Sequence, residues 1–150
     1  LEELVKDTLV QEIMNRDVIA IAPDLGVDAA LELMRSNNIR RLPVVNAGNR
    51  VIGIITLADA LTLMPANLRD DEGFNRTEPP EVREAMADYV YTASPEEPVG
   101  VAARKMVNHK IGALPVIEDH KLVGIVTESD IFRFVAEQYE HEHPEVGAGA

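Results

Sequence analysis

Two short strings in this chain carry residue types suited to ligand chemistry: Thr56-Leu57-Ala58-Asp59 and Thr127-Glu128-Ser129-Asp130. Each follows a glycine and two aliphatic residues, Gly53-Ile54-Ile55 and Gly124-Ile125-Val126, so a buried strand hands over to a helix at the threonine. A helix N-terminus offers free N–H groups and the positive end of the macrodipole, which suits a phosphate, and the threonine hydroxyl can donate beside it. A carboxylate one turn further on, if it points outward, can accept charge-assisted hydrogen bonds from the cis 2′- and 3′-hydroxyls of a ribose. Thr and Asp at this spacing therefore suit a ribonucleotide. The same residues also read as a plain helix cap. Threonine at the N-cap with an acid three residues later is a variant capping box, worth about 1 kcal/mol and common where nothing binds.

The elements that would position these residues are themselves duplicated. Val10 to Val45 recurs 72 residues later, setting Met14 over Met86, Pro23 over Pro95, Met34 over Met106 and Leu42-Pro43-Val44 over Leu114-Pro115-Val116. The offset then drops by one, because Asn46-Ala47-Gly48-Asn49-Arg50 faces the shorter Glu118-Asp119-His120-Lys121, and a hairpin loop tolerates such a change in length. Leu1 to Met14 reads as a lead-in helix and Val18 to Ala22 as a short strand. Val27, Ala30, Leu31 and Met34 form one helical face, repeated by Val99, Ala102, Ala103 and Met106. Ser94, Pro95 and Glu97 predict a capping box at the start of the second of these helices. Hairpins follow, Leu42 to Val45 with Val51 to Thr56 and Leu114 to Ile117 with Leu122 to Thr127. Each ends in a helix, one with Leu57, Ala60, Leu61 and Met64 on a face, the other with Ile131, Phe132, Val135, Ala136 and Tyr139. The repeated methionines sit on apolar faces and belong to the core.

The fold class is therefore α/β (α+β), two β-α-β-β-α units packed by pseudo-two-fold symmetry, since a unit of about fifty residues is marginal alone. The boundaries expected are residues 1–64 for the first unit with its lead-in helix, 65–81 for a linker, 82–140 for the second unit and 141–150 for a flexible tail. The linker carries Asp70-Asp71-Glu72-Gly73 and reads as a solvated connector, long enough to form a lid.

Composition narrows the function. Lys and Arg number 14 against 26 Asp and Glu, a net charge of −12 that repels phosphate backbones and anionic lipid surfaces and so disfavours nucleic acid and membrane as partners. There is no cysteine, hence no disulfide framework or thiolate metal site. No apolar run approaches the roughly 18 residues of a membrane span, and the start of the chain does not resemble a signal peptide. The expectation is a soluble, cytoplasmic protein, or a soluble piece of a larger one. His141, Glu142 and His143 read as a solvated charge run; no metal site is expected there, nor at His109 and His120. No nucleophile-and-base constellation, glycine-rich phosphate loop or paired carboxylates point to catalysis.

Taken whole, the repeated Leu-Pro-Val strand with Gly-Ile-Ile-Thr-Leu-Ala-Asp and Gly-Ile-Val-Thr-Glu-Ser-Asp resembles a tandem pair of cystathionine-beta-synthase (CBS) domains, the Bateman module. The match runs over roughly Val10 to Leu63 and Val82 to Phe134. The resemblance implies two clefts between the copies that bind adenosine-containing ligands (AMP, ADP, ATP or S-adenosylmethionine) as effectors and not as catalytic cofactors. It implies a homodimer that regulates an unidentified partner protein and has no catalysis of its own. Carried over residue by residue, Asp59 and Asp130 would hold the ribose hydroxyls, with Thr56 and Thr127 beside ribose or phosphate. Adenine contacts would come from Asn15, Ile19, Ile39 and Arg40 for the Thr127 pocket, and from Ala87, Val90, Ile111 and Gly112 for the Thr56 pocket. Arg40, Arg41, His109 and Lys110 are the candidate phosphate contacts, or else Arg40, Arg41 and Lys110 merely cap strand ends at the surface. Because Arg40-Arg41 is replaced by Gly112-Ala113 in the second copy, two working pockets should differ in their preference for phosphate number. The alternative from another class is a purely structural dimerisation scaffold, in which the Thr and Asp pairs are only caps.

Overall fold

The computed structural model describes residues 2–68 and 78–145; the acidic Asp70-Asp71-Glu72-Gly73 stretch and the last five residues lie outside them. The elements are α1 (Glu2–Asp7), α2 (Val10–Ile13), α3 (Val27–Asn37), β1 (Arg41–Val45), β2 (Val51–Thr56), α4 (Leu57–Leu68), α5 (Val82–Ala85), α6 (Val99–His109), β3 (Ala113–Glu118), β4 (Lys121–Thr127) and α7 (Glu128–Glu142). They form two compact units. One comprises Ile19–Val90 with His120–Leu122; the other joins Leu1–Val18 to Tyr91–Asp119 and Val123–Ala150. Each unit thus takes its short lead-in helix from the opposite end of the repeat: α5 serves the first hairpin and α2 the second.

The lead-in segments repeat down to single bonds. The Leu9 and Glu81 N–H groups each donate to a glutamate three residues on, Glu12 and Glu84, both at 2.7 Å. The predicted continuous helix over Leu1–Met14 is broken at Thr8-Leu9 because that backbone is spent elsewhere. Val99 N donates to Thr8 O at 2.8 Å and Val10 N to Glu97 O at 2.8 Å, with Val27 N to Pro80 O at 2.7 Å as the matching bond in the other unit. The Pro80 and Thr8 carbonyls satisfy the first donors of α3 and α6, and neither helix carries a side-chain cap. The box expected at Ser94 is absent accordingly: α6 starts at Val99, and Glu97 pairs with Lys105 at 2.7 Å.

The strands predicted before each helix shrink to single residues. Ile21 bridges Val44 and Ala93 bridges Val116, both parallel, with Ile21 N to Pro43 O at 3.0 Å and Ala93 N to Pro115 O at 2.9 Å. Both hairpins form as expected. In the first, Arg41 lies opposite Thr56 and Pro43 opposite Ile54, with a bulge at Val44/Val45. The one-residue deletion falls in the turns. Asn46 Oδ1 organises the longer loop by accepting from Gly48 and Arg50 N at 3.0 Å, whereas the shorter one turns on two left-handed residues, Asp119 (φ 52°) and His120 (φ 68°).

Each unit has its own core. Val27, Ala30, Met34, Leu42, Val44, Ile55, Ala60 and Val82 fill one; Val10, Met14, Ala102, Met106, Leu114, Val116 and Val126 fill the other. Both upstream helices bury the face expected and end on left-handed residues at matching positions, Asn38 (φ 53°) and Lys110 (φ 55°). The downstream helices differ from expectation. In α7 the buried aromatic is Phe134, while Phe132, Val135 and Tyr139 are 66%, 40% and 53% exposed. In α4, Ala60 is buried and Leu61 half exposed. Helix α7 also runs into the expected tail through Glu142, where His143 N donates to Tyr139 O at 2.9 Å and its ring stacks on Tyr139.

Candidate functional site

Why the strand before each threonine needs a glycine is answered by the lead-in segments. A Cβ on Gly53 would lie 2.5 Å from Met86 Sδ and 2.8 Å from Ala87 O; on Gly124 it would lie 2.6 Å from Met14 Sδ and 3.1 Å from Asn15 O. Close backbone approach is locked by paired bonds, Ile54 N to Ala87 O and Ala87 N to Ile54 O at 2.9 Å, with Ile125 and Asn15 exchanging the same pair at 2.9 Å. Ala87 and Asn15 are thereby fixed two residues upstream of Thr56 and Thr127.

At the first site, α4 begins directly after β2, and Leu57 N donates to Arg40 O at 2.7 Å. Arg41 stands opposite Thr56 in the hairpin register, so the two side chains share a face. Arg40, Arg41, Thr56, Leu57, Ala58 and Leu61 line one cavity of about 340 Å³. Thr56 Oγ1 accepts from Asp59 N at 3.1 Å, half of a capping box. The exposed Asp59 carboxylate accepts no hydrogen bond among the described residues, and neither Arg40 nor Arg41 pairs with an acid among them. Two cations and a hydroxyl thus line one cavity at a helix N-terminus, with an exposed acid in the first turn of the same helix, residue types that can receive an anion with an attached diol.

The second site is built differently. Glu128 N donates to Gly112 O at 3.0 Å, matching Leu57 and Arg40, but no cation accompanies it at Gly112 or Ala113. Here the capping box is closed. Asp130 Oδ2 accepts from Thr127 N at 2.8 Å and from the Thr127 hydroxyl at 3.0 Å, while Thr127 Oγ1 faces Asp130 N at 3.4 Å. Arg133 Nη1 donates to Asp130 Oδ1 at 3.2 Å, and the Asp130 side chain is only 13% exposed. Asp130 and Arg133 share a cavity of about 210 Å³ with Glu12, Ile13, Phe134 and Glu137. Sequence reasoning missed Arg133. Its signal is the Asp-x-x-Arg helical spacing, for which the first copy has Thr62.

Of the base-side residues, Ala87 and Val90 belong to the unit of Thr56 and Asp59, as do Ile19, Ile39 and Arg40, which were expected to serve Thr127. Asn15 belongs to the unit of Thr127 and Asp130, as do Ile111 and Gly112, which were expected to complete the Thr56 pocket from the other copy. His109 stacks on Tyr91, ring centroids 3.6 Å apart. Lys110 lines a separate apolar groove of about 400 Å³ between α6 and α7, with Ala103, Met106, Val107, Glu128 and Phe132. No group of three or more potential metal ligands occurs among the described residues, and none of their helices is long and apolar enough to cross a membrane.

A family model for the CBS domain matches residues 10–66 and 82–137. The CBS domain pair of protein MJ0100, solved with 5′-methylthioadenosine and S-adenosyl-L-methionine, superposes with a TM-score of 0.74 at 30% identity, over 87% of this chain and 98% of that one. CBSX2 in complex with AMP gives a TM-score of 0.74 at 25% identity, over 87% of this chain and 98% of that one. Among curated proteins, a homoserine O-acetyltransferase of Methanohalobium evestigatum is 32% identical over 141 residues, 91% of this chain but 26% of the enzyme. The chain thus spans about a quarter of that relative's length.

Proposed function

The chain belongs to the CBS-domain family as a tandem pair, and from that membership we propose that it is a regulatory module that binds an adenosine-containing ligand and signals to a partner protein by conformational change. AMP, ADP, ATP and S-adenosylmethionine are the candidate effectors; of the similar solved structures, the MJ0100 pair holds S-adenosylmethionine and methylthioadenosine and CBSX2 holds AMP. The observation that carries the reading is the first site, where Arg40, Arg41 and Thr56 line one cavity and Asp59, in the first turn of the helix that follows, has a carboxylate that accepts no hydrogen bond among the described residues. Asp59 holds the ribose diol there, and the two arginines answer the phosphate on an otherwise acidic protein. The second site, with Gly112 and Ala113 in place of the arginines, takes ligands of lower phosphate charge. The module is not an enzyme, works in the cytoplasm and acts as a homodimer. For the dimer, the apolar face of α6 and α7 is the surface we assign to the second copy. Phe132 and Val107 are 66% and 65% exposed there, and Lys110 and Glu128 on the same groove supply opposite charges that a two-fold mate can pair.

Signalling requires unequal ligand affinity for two arrangements, since binding that favours neither changes nothing. Calorimetric titration with AMP, ADP, ATP and S-adenosylmethionine tests the binding, repeated for the tightest ligand in its 2′-deoxy form and with Asp59→Ala. Loss of the diol contact should weaken binding by a few kcal/mol, roughly tenfold per 1.4 kcal/mol. Ligands indifferent to both changes would refute the reading. A structural scaffold is the second reading, favoured by the closed capping box at Thr127 and Asp130. It predicts no saturable heat with any of the four.

A further inference from the structure

We infer that Arg133 is a latch on Asp130, a positioning residue that makes the two sites fill in order, Thr56/Asp59 first and Thr127/Asp130 second; this rests on the nucleotide reading above. A ribose diol brings two hydroxyl donors, which need two open acceptor positions on a carboxylate. In the second copy three of the four positions on Asp130 are occupied, too many for a diol to fit without a donor leaving. Oδ2 holds the Thr127 N–H and hydroxyl, and Oδ1 holds Arg133. In the first copy the residue aligned with Arg133 is Thr62, whose hydroxyl turns back to Ala58 O at 2.8 Å, and the Asp59 carboxylate accepts no hydrogen bond among the described residues. The same ligand therefore meets a ready acid in one copy and a committed acid in the other.

The latch can also let go. Glu137 lies one helical turn beyond Arg133, and both line the cavity that contains Glu12 and Asp130. A guanidinium displaced from Asp130 finds replacement carboxylates without leaving that cavity. Arg133 is 63% exposed and Asp130 only 13%, so the movable partner is the arginine and the anchored one the acid. Opening exchanges one ion pair for another, and its cost falls on ligand affinity at this site.

The test is calorimetry of the full chain with AMP, for the wild type, Arg133→Thr (the residue of the first copy), Arg133→Lys and Thr62→Arg. Arg133→Thr is also measured in an Asp59→Ala background, which isolates the second site. The latch predicts two binding steps, with the weaker one tightened about three- to tenfold by Arg133→Thr and less by Arg133→Lys. The tighter step should stay within about twofold in Arg133→Thr and weaken in Thr62→Arg. A purely structural arginine moves melting temperature without separating the two steps. If both steps are unchanged, or the weaker one loosens, in Arg133→Thr, the latch is refuted and the nucleotide reading stands. If neither the wild type nor Arg133→Thr binds AMP, ADP, ATP or S-adenosylmethionine, the nucleotide reading fails and the latch with it.

Discussion

Replacing Gly53 by alanine places a methyl group where the structure leaves no room, and the damage is graded by what it meets. The Cβ would stand 2.5 Å from Met86 Sδ, which a flexible side chain can relieve, and 2.8 Å from Ala87 O, which it cannot. That carbonyl accepts from Ile54 N at 2.9 Å, and Ala87 N returns a bond to Ile54 O. To admit the methyl, the segment after α5 must move away from β2, straining two backbone bonds worth about 0.5–1.5 kcal/mol each. Gly53→Ala should therefore cost about 2–3 kcal/mol, within the usual range for overpacking. At Gly124 the backbone oxygen, that of Asn15, is 3.1 Å from the added atom, a distance that a few tenths of an ångström relieves. Gly124→Ala should cost about 1 kcal/mol. Urea unfolding followed by far-ultraviolet circular dichroism measures both, with m unchanged as the check that only stability moved. Equal costs for the two variants, or a change below about 0.5 kcal/mol for Gly53→Ala, would refute the argument that backbone approach dictates these glycines.

Without ligand, Asp130→Ala should lower stability by about 1 kcal/mol through loss of its cap, and Asp59→Ala by less than about 0.5 kcal/mol; thermal melts of the two variants separate them. Lys110 holds a left-handed backbone at φ 55°, so Lys110→Gly should stabilise by about 0.5–1 kcal/mol. Asn38→Gly, at φ 53° but with a residue that tolerates this region, should gain less in the same denaturation assay. On α3, the hydrogen bond and charge of Arg35 hold the Glu32 carboxyl below its ordinary value. Its contribution is thus present above the unfolded carboxylate value and fades as pH falls through the folded one. Both groups are fully exposed to water, so Glu32→Gln should leave the acid limb of the stability profile superimposable on the wild type.

What the sequence by itself determined was the local and the periodic. The duplication, both hairpins, the one-residue deletion in their turns and the buried faces of α3 and α6 follow from apolar spacing and turn chemistry, which act over a few residues. The family membership was legible in the same strings. Tertiary structure decided whatever depended on competition for a partner. The lead-in helix breaks at Thr8-Leu9 because the Thr8 carbonyl serves the first N–H of α6, and the box at Ser94 gives way because Glu97 pairs with Lys105. The apolar side of α7 is likewise a tertiary matter, since periodicity finds a stripe but not which stripe meets the core, and there Phe134 goes inward and Phe132 outward. The same holds at the candidate sites. Thr56/Asp59 and Thr127/Asp130 are the same letters at the same spacing, yet among the described residues one acid accepts no hydrogen bond and the other is bound by Thr127 and Arg133. A carboxylate takes the strongest donors within reach, and which donors those are is a property of the folded neighbourhood, not of the motif.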